Sequence, residues 1–334
     1  MRPGHRTIFW GLPVFLVLIY ACLTGCSIKQ EKVYRVGVLR GLEFLADIPV
    51  GFKEKMAELG YIEGKNIIYD LQQTNFEPSR EEQILRKFVE DQVDLIFTFP
   101  TEVSMQAKEI AHDTGIPVLF TFANIEDTGL VESVRQPGGN ITGVRYPGPD
   151  IAIKRFEILL ELVPEAKRIV IPYQRGYPIV ASQINAVRPV ARALNIRLDE
   201  VPASDAMELK ANLEATAAAG GTSIDAILFI AEPLSVMPEN FTIIAEFAAK
   251  HHAPVGGVLL SVGHYHSIFG VNVMMRDAGR QAAVLADKIL SGIPAGTIPV
   301  VSAENYIEIN YLETQRLGLK VSEGLLSIAQ RIVR

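Results

Sequence analysis

The chain has 334 residues, 49% of them hydrophobic, with 32 Lys and Arg against 38 Asp and Glu and a formal net charge of -6. That length and apolar content support a large core divided into two lobes or domains, and an acidic chain without a basic run argues against a nucleic-acid partner. The two cysteines, Cys22 and Cys26, both lie near the N-terminus, so nothing beyond them can form a disulfide, a thiol nucleophile or a thiolate metal site.

Taken in chain order, the first element is an uncharged stretch from Thr7 to Ile28, preceded by Arg2 and Arg6 and most densely apolar from Leu12 to Tyr20. It is long enough to cross a bilayer, but its short apolar core fits a secretory leader better. Leu23-Thr24-Gly25-Cys26, a leucine, two small residues and a cysteine, resembles the lipobox of bacterial lipoprotein precursors. The expectation is a signal peptide over 1–25, lipidation of Cys26 and a short linker over 26–33. Loss of Arg2 and Arg6 would take the formal charge from -6 to -8. Several acyl chains would hold this acidic body at a membrane without a basic patch.

Beyond the linker, strand and helix alternate. Val33 to Leu39 is a short apolar run that reads as a strand; Val50 to Leu59 carries helix-spaced Phe52, Met56 and Leu59 and ends at Gly60. A strand over 66–71, an amphipathic helix over 78–89, a strand over 93–99, a helix over 101–112 and a strand over 116–122 follow. A glycine-rich break at Pro137-Gly138-Gly139-Asn140 precedes a strand over 141–144. The second series predicts helices over 151–162, 179–194, 207–218 and 240–251 and strands over 168–172, 196–201, 225–230 and 254–259. Pro189 is a candidate kink in its helix. Nearly continuous apolar strands need cover on both faces, which predicts two α/β lobes with parallel-sheet cores. Ligands of such sheets gather beyond the carboxyl ends of the strands, so two facing lobes would form a cleft.

Several chemistries lack their signatures. No Gly-x-Gly-x-x-Gly turn follows the first strand and no Gly-Lys-Ser or Gly-Lys-Thr phosphate loop occurs. His264-x-His266 and His251-His252 have no recognisable third-ligand spacing for zinc, and His251-His252 falls where a helix C-terminus would favour imidazolium. Ser104, Ser235 and Ser261 have no nucleophile-elbow sequence around them. Neither an enzyme nor a cofactor is expected.

Four blocks, read together behind the lipobox, resemble one family. They are Gly51 to Asn66, with Ala57-Glu58-Leu59-Gly60-Tyr61-Ile62-Glu63-Gly64-Lys65-Asn66; Leu130 to Val144, with Arg135-Gln136-Pro137-Gly138-Gly139-Asn140-Ile141-Thr142-Gly143; Arg155 to Arg168; and Ala286 to Pro294. The chain resembles, over about residues 34–325, the ABC transporter substrate-binding lipoproteins of the tryptophan/tyrosine type. The resemblance implies a type I periplasmic-binding-protein fold with three crossovers between lobes, the first lobe comprising 34–146 plus 274–297 and the second 147–273 plus 298–334. It also implies a monomer that captures a small solute, with an aromatic amino acid as the first ligand class, and presents it to an ABC permease in the membrane. The functional alternative is a sensory lipoprotein that presents its solute to a membrane receptor.

Candidate ligand contacts follow the inferred strands, each with an ordinary structural alternative. Glu43 and Phe44 follow the first strand, as an amine partner and an aromatic wall, or as loop surface. Thr101 is a candidate cap for a helix whose first N–H groups would take a carboxylate. Glu102, where a small residue is usual in the family, either points to solvent or reads a cationic group. Asn124 and Asp127 would bind solute polar atoms or cap a following helix. In the second lobe Tyr173 would stack on a ring or lid the cleft, and Arg175 would clamp a carboxylate or form a surface pair. Glu232 would meet an amine or stay solvated. Ser261-Val262-Gly263-His264-Tyr265-His266 departs most from the family's glycine-rich loop, which makes His264 a further candidate and puts a transferred ligand identity in doubt.

Overall fold

The computed structural model describes Met1 and residues 32–41, 43–75, 77–220, 223–230 and 232–334. The leader and Cys26 lie outside the described residues. In chain order the strands are β1 (Tyr34–Arg40), β2 (Ile67–Gln73), β3 (Leu95–Phe99), β4 (Val118–Ala123), β5 (Ile141–Arg145), β6 (Arg168–Gln174), β7 (Arg197–Ala203), β8 (Ala226–Leu228), β9 (Val255–Gly256), β10 (Ser261–Val262), β11 (Tyr265–His266), β12 (Phe269–Val273), β13 (Val301–Ser302), β14 (Asn305–Asn310) and β15 (Arg331–Val333).

Every side chain of β3 is buried, as its unbroken run of Leu95-Ile96-Phe97-Thr98-Phe99 demands of a strand covered on both faces. It lies inside a six-stranded sheet of order β13-β5-β4-β3-β1-β2, with parallel pairing throughout. Successive residues point to opposite faces. Ile96 and Phe120 pack with Leu85, Phe88, Val103 and Ala107 from the helices Pro78–Glu90 and Thr101–Ala111. Val38 and Phe97 pack with Phe52, Met56, Ala282 and Ala286 from the helices Asp47–Glu58 and Met275–Leu290. The Phe52 and Phe97 rings stack with centroids 4.3 Å apart.

A second parallel sheet has the order β7-β6-β8-β9. The helices Gly148–Leu162 and Val180–Ala193 cover one face through Phe156, Ile184 and Val187. The helices Ala206–Ala219 and Pro238–Lys250 cover the other through Leu209, Leu213, Phe241 and Ile244. The result is a two-lobe α/β architecture of the type I periplasmic-binding-protein kind. The chain passes from the first sheet to the second after β5, from the second by way of β12 to the helix Met275–Leu290 that covers the first, and from β13 of the first sheet to β14. Beside these passages β12, β14 and β15 form a small sheet, antiparallel between β12 and β14.

Arg155, fully buried on the helix Gly148–Leu162, braces two of the passages. Its Nε and Nη2 donate to the Val271 carbonyl at 3.0 and 2.6 Å, and Nη2 also reaches the Tyr146 hydroxyl at 3.3 Å and Asn272 Oδ1 at 3.2 Å.

The regular elements fall close to their predicted positions, with three instructive differences. The strand expected over 254–259 keeps only Val255–Gly256, because Gly257 turns the chain at φ +115. The helix Val180–Ala193 continues through Pro189, which lies on its exposed face, where the carbonyl left without a proline N–H stays open to solvent. His251, expected to favour imidazolium, has its ring 4.6 Å from Phe247. Burial, followed by the charges of Lys250, Arg168 and His252, pushes its pKa down instead.

The contact between helices 47–58 and 275–290 depends on two glycines. A Cβ on Gly51 would lie 1.9 Å from the Arg276 carbonyl oxygen, and one on Gly279 would lie 2.0 Å from that of Ile48. Gly51→Ala and Gly279→Ala should each lower unfolding stability in urea by about 1–3 kcal/mol through overpacking. Gly324→Ala, whose new methyl would meet nothing closer than 3.7 Å, should cause no loss.

On β7, Glu200 accepts from Arg188 Nε and Nη2 at 2.7 and 2.8 Å, and these bonds hold its carboxyl below the ordinary glutamate value. A carboxyl with a lowered folded-state pKa binds fewer protons when folded than when unfolded. The pair's stabilisation is therefore complete above the unfolded value of 4.5 and lost as pH falls through the lower folded value. Arg188→Met should cost about 0.5–1 kcal/mol at neutral pH, and its deficit against the parent in urea melts should shrink as the medium is acidified below about pH 4.

Candidate functional site

The carboxyl ends of β1, β3 and β4 in the first lobe deliver Arg40, the turn at Thr101–Glu102 and Asn124. Those of β6 and β8 in the second deliver Tyr177 and Glu232. The Phe99–Pro100 bond is cis and leads directly into the helix Thr101–Ala111. Thr101 does not cap this helix. It is the helix's first residue, it is buried, and its Oγ1 accepts from the Asn124 N–H at 3.0 Å. The side chain thereby ties the loop after β4 to the helix that begins after β3. Ser104 closes the turn, its hydroxyl donating to the Pro100 carbonyl at 2.7 Å.

Glu102, in the first turn, is half-buried and meets the second lobe. Tyr177 lies close enough to Glu102 that burial first, then the Glu102 charge, pushes the Tyr177 phenol well above its ordinary pKa. Glu102 Oε2 is buried without a partner. Beside this contact, Asn124 is 4% exposed and its Oδ1 is unpartnered. A Cβ built on Gly148 would lie 2.6 Å from that oxygen and 3.6 Å from the Gln183 amide carbon, so the two amides flank Gly148 from opposite lobes. Gln183 is fully buried; its Nε2 donates to the Ile179 carbonyl at 3.2 Å, and its Oε1 has no partner. The Phe122 and Tyr146 rings, at the ends of β4 and β5, pack with centroids 5.1 Å apart.

Of the remaining predicted positions, Tyr173 and Glu232 lie beside Tyr177. Glu43 is exposed and accepts from Arg40 Nη2 at 2.8 Å. Phe44 lies in the short 3-10 turn Glu43–Leu45, and its side chain is outside what the structure describes. Asp127 is exposed at φ +58, in a loop that runs to β5 without an intervening helix to cap. Tyr173 donates to Glu200 Oε2 at 3.2 Å and shares with Tyr177, Val180, Ile184 and Arg188 a hollow of about 320 Å³. Arg175 is exposed and pairs with Glu208 on the neighbouring helix.

Glu232 is not solvated. It is 3% exposed, and its two oxygens accept from the Leu234 and Ser235 N–H groups at 2.8 Å each, capping the helical turn Pro233–Val236. Burial raises its carboxyl's pKa, and these hydrogen bonds oppose the rise. His264 is exposed at the tip of the β10–β11 hairpin, its ring 4.0 Å from that of Tyr265.

Three residues of the cleft are absent from the predicted set: Arg40, Tyr177 and Gln183. Arg40 sits in the loop segment already singled out after β1, and Tyr177 lies two residues beyond Arg175 in the loop after β6. Position after a strand therefore pointed to both neighbourhoods without saying which side chain turns inward. Gln183 lies inside a helix, and no motif marks it.

The family model described as "ABC transporter substrate binding protein" matches residues 41–333. A Clostridioides difficile protein named "Tyrosine-binding protein" is 26% identical over 310 residues, covering 86% of this chain and 85% of the relative. The fold is shared with a Streptococcus pneumonia ABC domain in complex with L-Trp, at 20% identity and a TM-score of 0.71, covering 89% of this chain and 99% of that one. It is also shared with a ligand-free, open substrate-binding protein with adhesive properties from Clostridium difficile, at 22% identity and a TM-score of 0.74, covering 90% and 99%. With the family model spanning nearly the whole two-lobe body, the chain belongs to the ABC transporter substrate-binding proteins: it is a solute-binding component and not a catalyst.

Proposed function

We propose that the protein is lipid-anchored through Cys26 outside the cytoplasm and captures an aromatic amino acid or a closely related compound between its lobes for an ABC permease. The observation that carries the reading is the meeting of Glu102 and Tyr177 across the lobes, because it brings an aromatic side chain of one lobe over the strand ends of the other. Phe122 and Tyr146 supply a second aromatic surface at the same strand ends. Aromatic walls with a few fixed polar groups suit a small ring-bearing solute. The names of the tyrosine-binding relative and of the tryptophan-bound structure favour the same class.

The first-turn N–H groups of the helix Thr101–Ala111 would face the solute's carboxylate. Within the cleft, Thr101 acts through Asn124, and Glu102 and Asn124 act directly. Glu43, Phe44, Asp127, Tyr173, Arg175, Glu232 and His264 are not proposed as contacts. The proposed lobes divide after 146 and near 273. The pairing of Val301–Ser302 with β5 favours a third crossing just past Ser302 in place of one at 297.

Calorimetric titration with the common amino acids should give binding for tyrosine or tryptophan, and Tyr177→Ala should weaken it about tenfold through loss of the aromatic wall. Failure of every aromatic amino acid to bind would contradict the ligand class. Cys26→Ser, expressed in a bacterial host, should shift the protein from the membrane fraction to the soluble one; unchanged membrane retention would contradict the anchor.

A further inference from the structure

We propose that the cleft selects an organic amine cation, that Glu102, Asn124 and Gln183 form its ammonium seat, and that a carboxylate on the solute is dispensable for binding. The inference rests on the reading of the cleft as the solute site and goes on to the solute's charge.

Among the described residues, three acceptors of the cleft are unpaired, against one unpaired donor atom, the buried Nε of Arg40. Glu102 Oε2, Asn124 Oδ1 and Gln183 Oε1 are all buried and all without a donor, a costly condition in a protein interior. For Gln183 the free atom is defined by its partner, since Nε2 already donates to the Ile179 carbonyl. An ammonium group carries three donors and no acceptor, which is the complement of three unpaired oxygens, one of them charged.

The three are held near one another by contacts already described. Thr101 joins the Asn124 loop to the turn bearing Glu102. Asn124 and Gln183 flank Gly148. Tyr177, close enough to feel the Glu102 charge, lies just before the helix that bears Gln183. Two acceptors thus come from the first lobe and one from the second, so an ammonium on this seat would bond to both lobes at once.

The charge balance points the same way. Buried Glu81 lies close enough for the Glu102 charge to raise its pKa, behind the larger effect of its own burial, and the Arg40 guanidinium donates through Nη2 to Glu43 while its Nε is left without an acceptor. An acidic residue in a helix's first turn offsets the positive end of the helix dipole. Glu102 therefore weakens the attraction of this helix start for a solute carboxylate while adding attraction for a cation.

The test is calorimetric titration of the full-length protein with L-tyrosine, tyramine, which lacks the carboxylate, and 3-(4-hydroxyphenyl)propionate, which lacks the amine; agmatine and putrescine serve as amines without a ring. Tyramine should bind within about tenfold of tyrosine, the propionate at least about a hundredfold more weakly, and Glu102→Gln should weaken tyramine binding at least about tenfold without a change in Tm. Binding of tyrosine without tyramine, equal binding of the propionate, or binding of no amine at all would overturn the inference. Failure of all three aromatic probes with Glu102-dependent binding of agmatine or putrescine would uphold the amine seat and overturn only the aromatic class proposed above.

Discussion

The approach of Tyr177 to Glu102 brings the two lobes together at their strand ends, where the helix Thr101–Ala111 begins. Each lobe has its own parallel sheet with a helical layer on either face, and one continuous apolar cluster runs from the first sheet to the second. Thr101, spent on the Asn124 backbone, ties the two first-lobe loops together.

Beside the cleft the three chain passages limit how the lobes can move. Arg155 brings the first two together through a carbonyl, a hydroxyl and an amide oxygen, and β14 lies antiparallel against β12. The glycine-mediated contact of helices 47–58 and 275–290 then anchors the returning chain firmly in the first lobe. Rigid lobes on a braced set of crossings, with polar side chains offered from both, suit capture of a solute by closure.

Much of the fold was legible in the sequence, because buried parallel strands are short, apolar and separated by amphipathic helices, and few other architectures tolerate that pattern. β3 and β4 are the clearest cases. The C-terminal third was less legible: β9, β10, β11 and β13 have only two residues each, too few for any periodicity to register. The cleft was legible by neighbourhood only. Strand ends pointed to the segments around Arg40, Thr101, Asn124 and Tyr173, yet Glu43 and Arg175 pair on the surface and Glu232 caps its own turn, while Tyr177 and Gln183 face inward. Which loop side chain turns inward depends on partners distant in sequence, and sequence spacing carries no record of them. Glu102, a charge where the family has a small residue, was singled out by sequence, but with solvent or a cationic group as its expected surroundings and not the other lobe.

The most direct measurement is a crystal structure of the protein grown with whichever amino acid or amine binds it most tightly. The account predicts a ligand between the lobes, its amine within hydrogen-bond distance of Glu102, Asn124 and Gln183 and its body against Tyr177. A ligand bound to one lobe alone, or to a site that leaves those three oxygens unpaired, would contradict it.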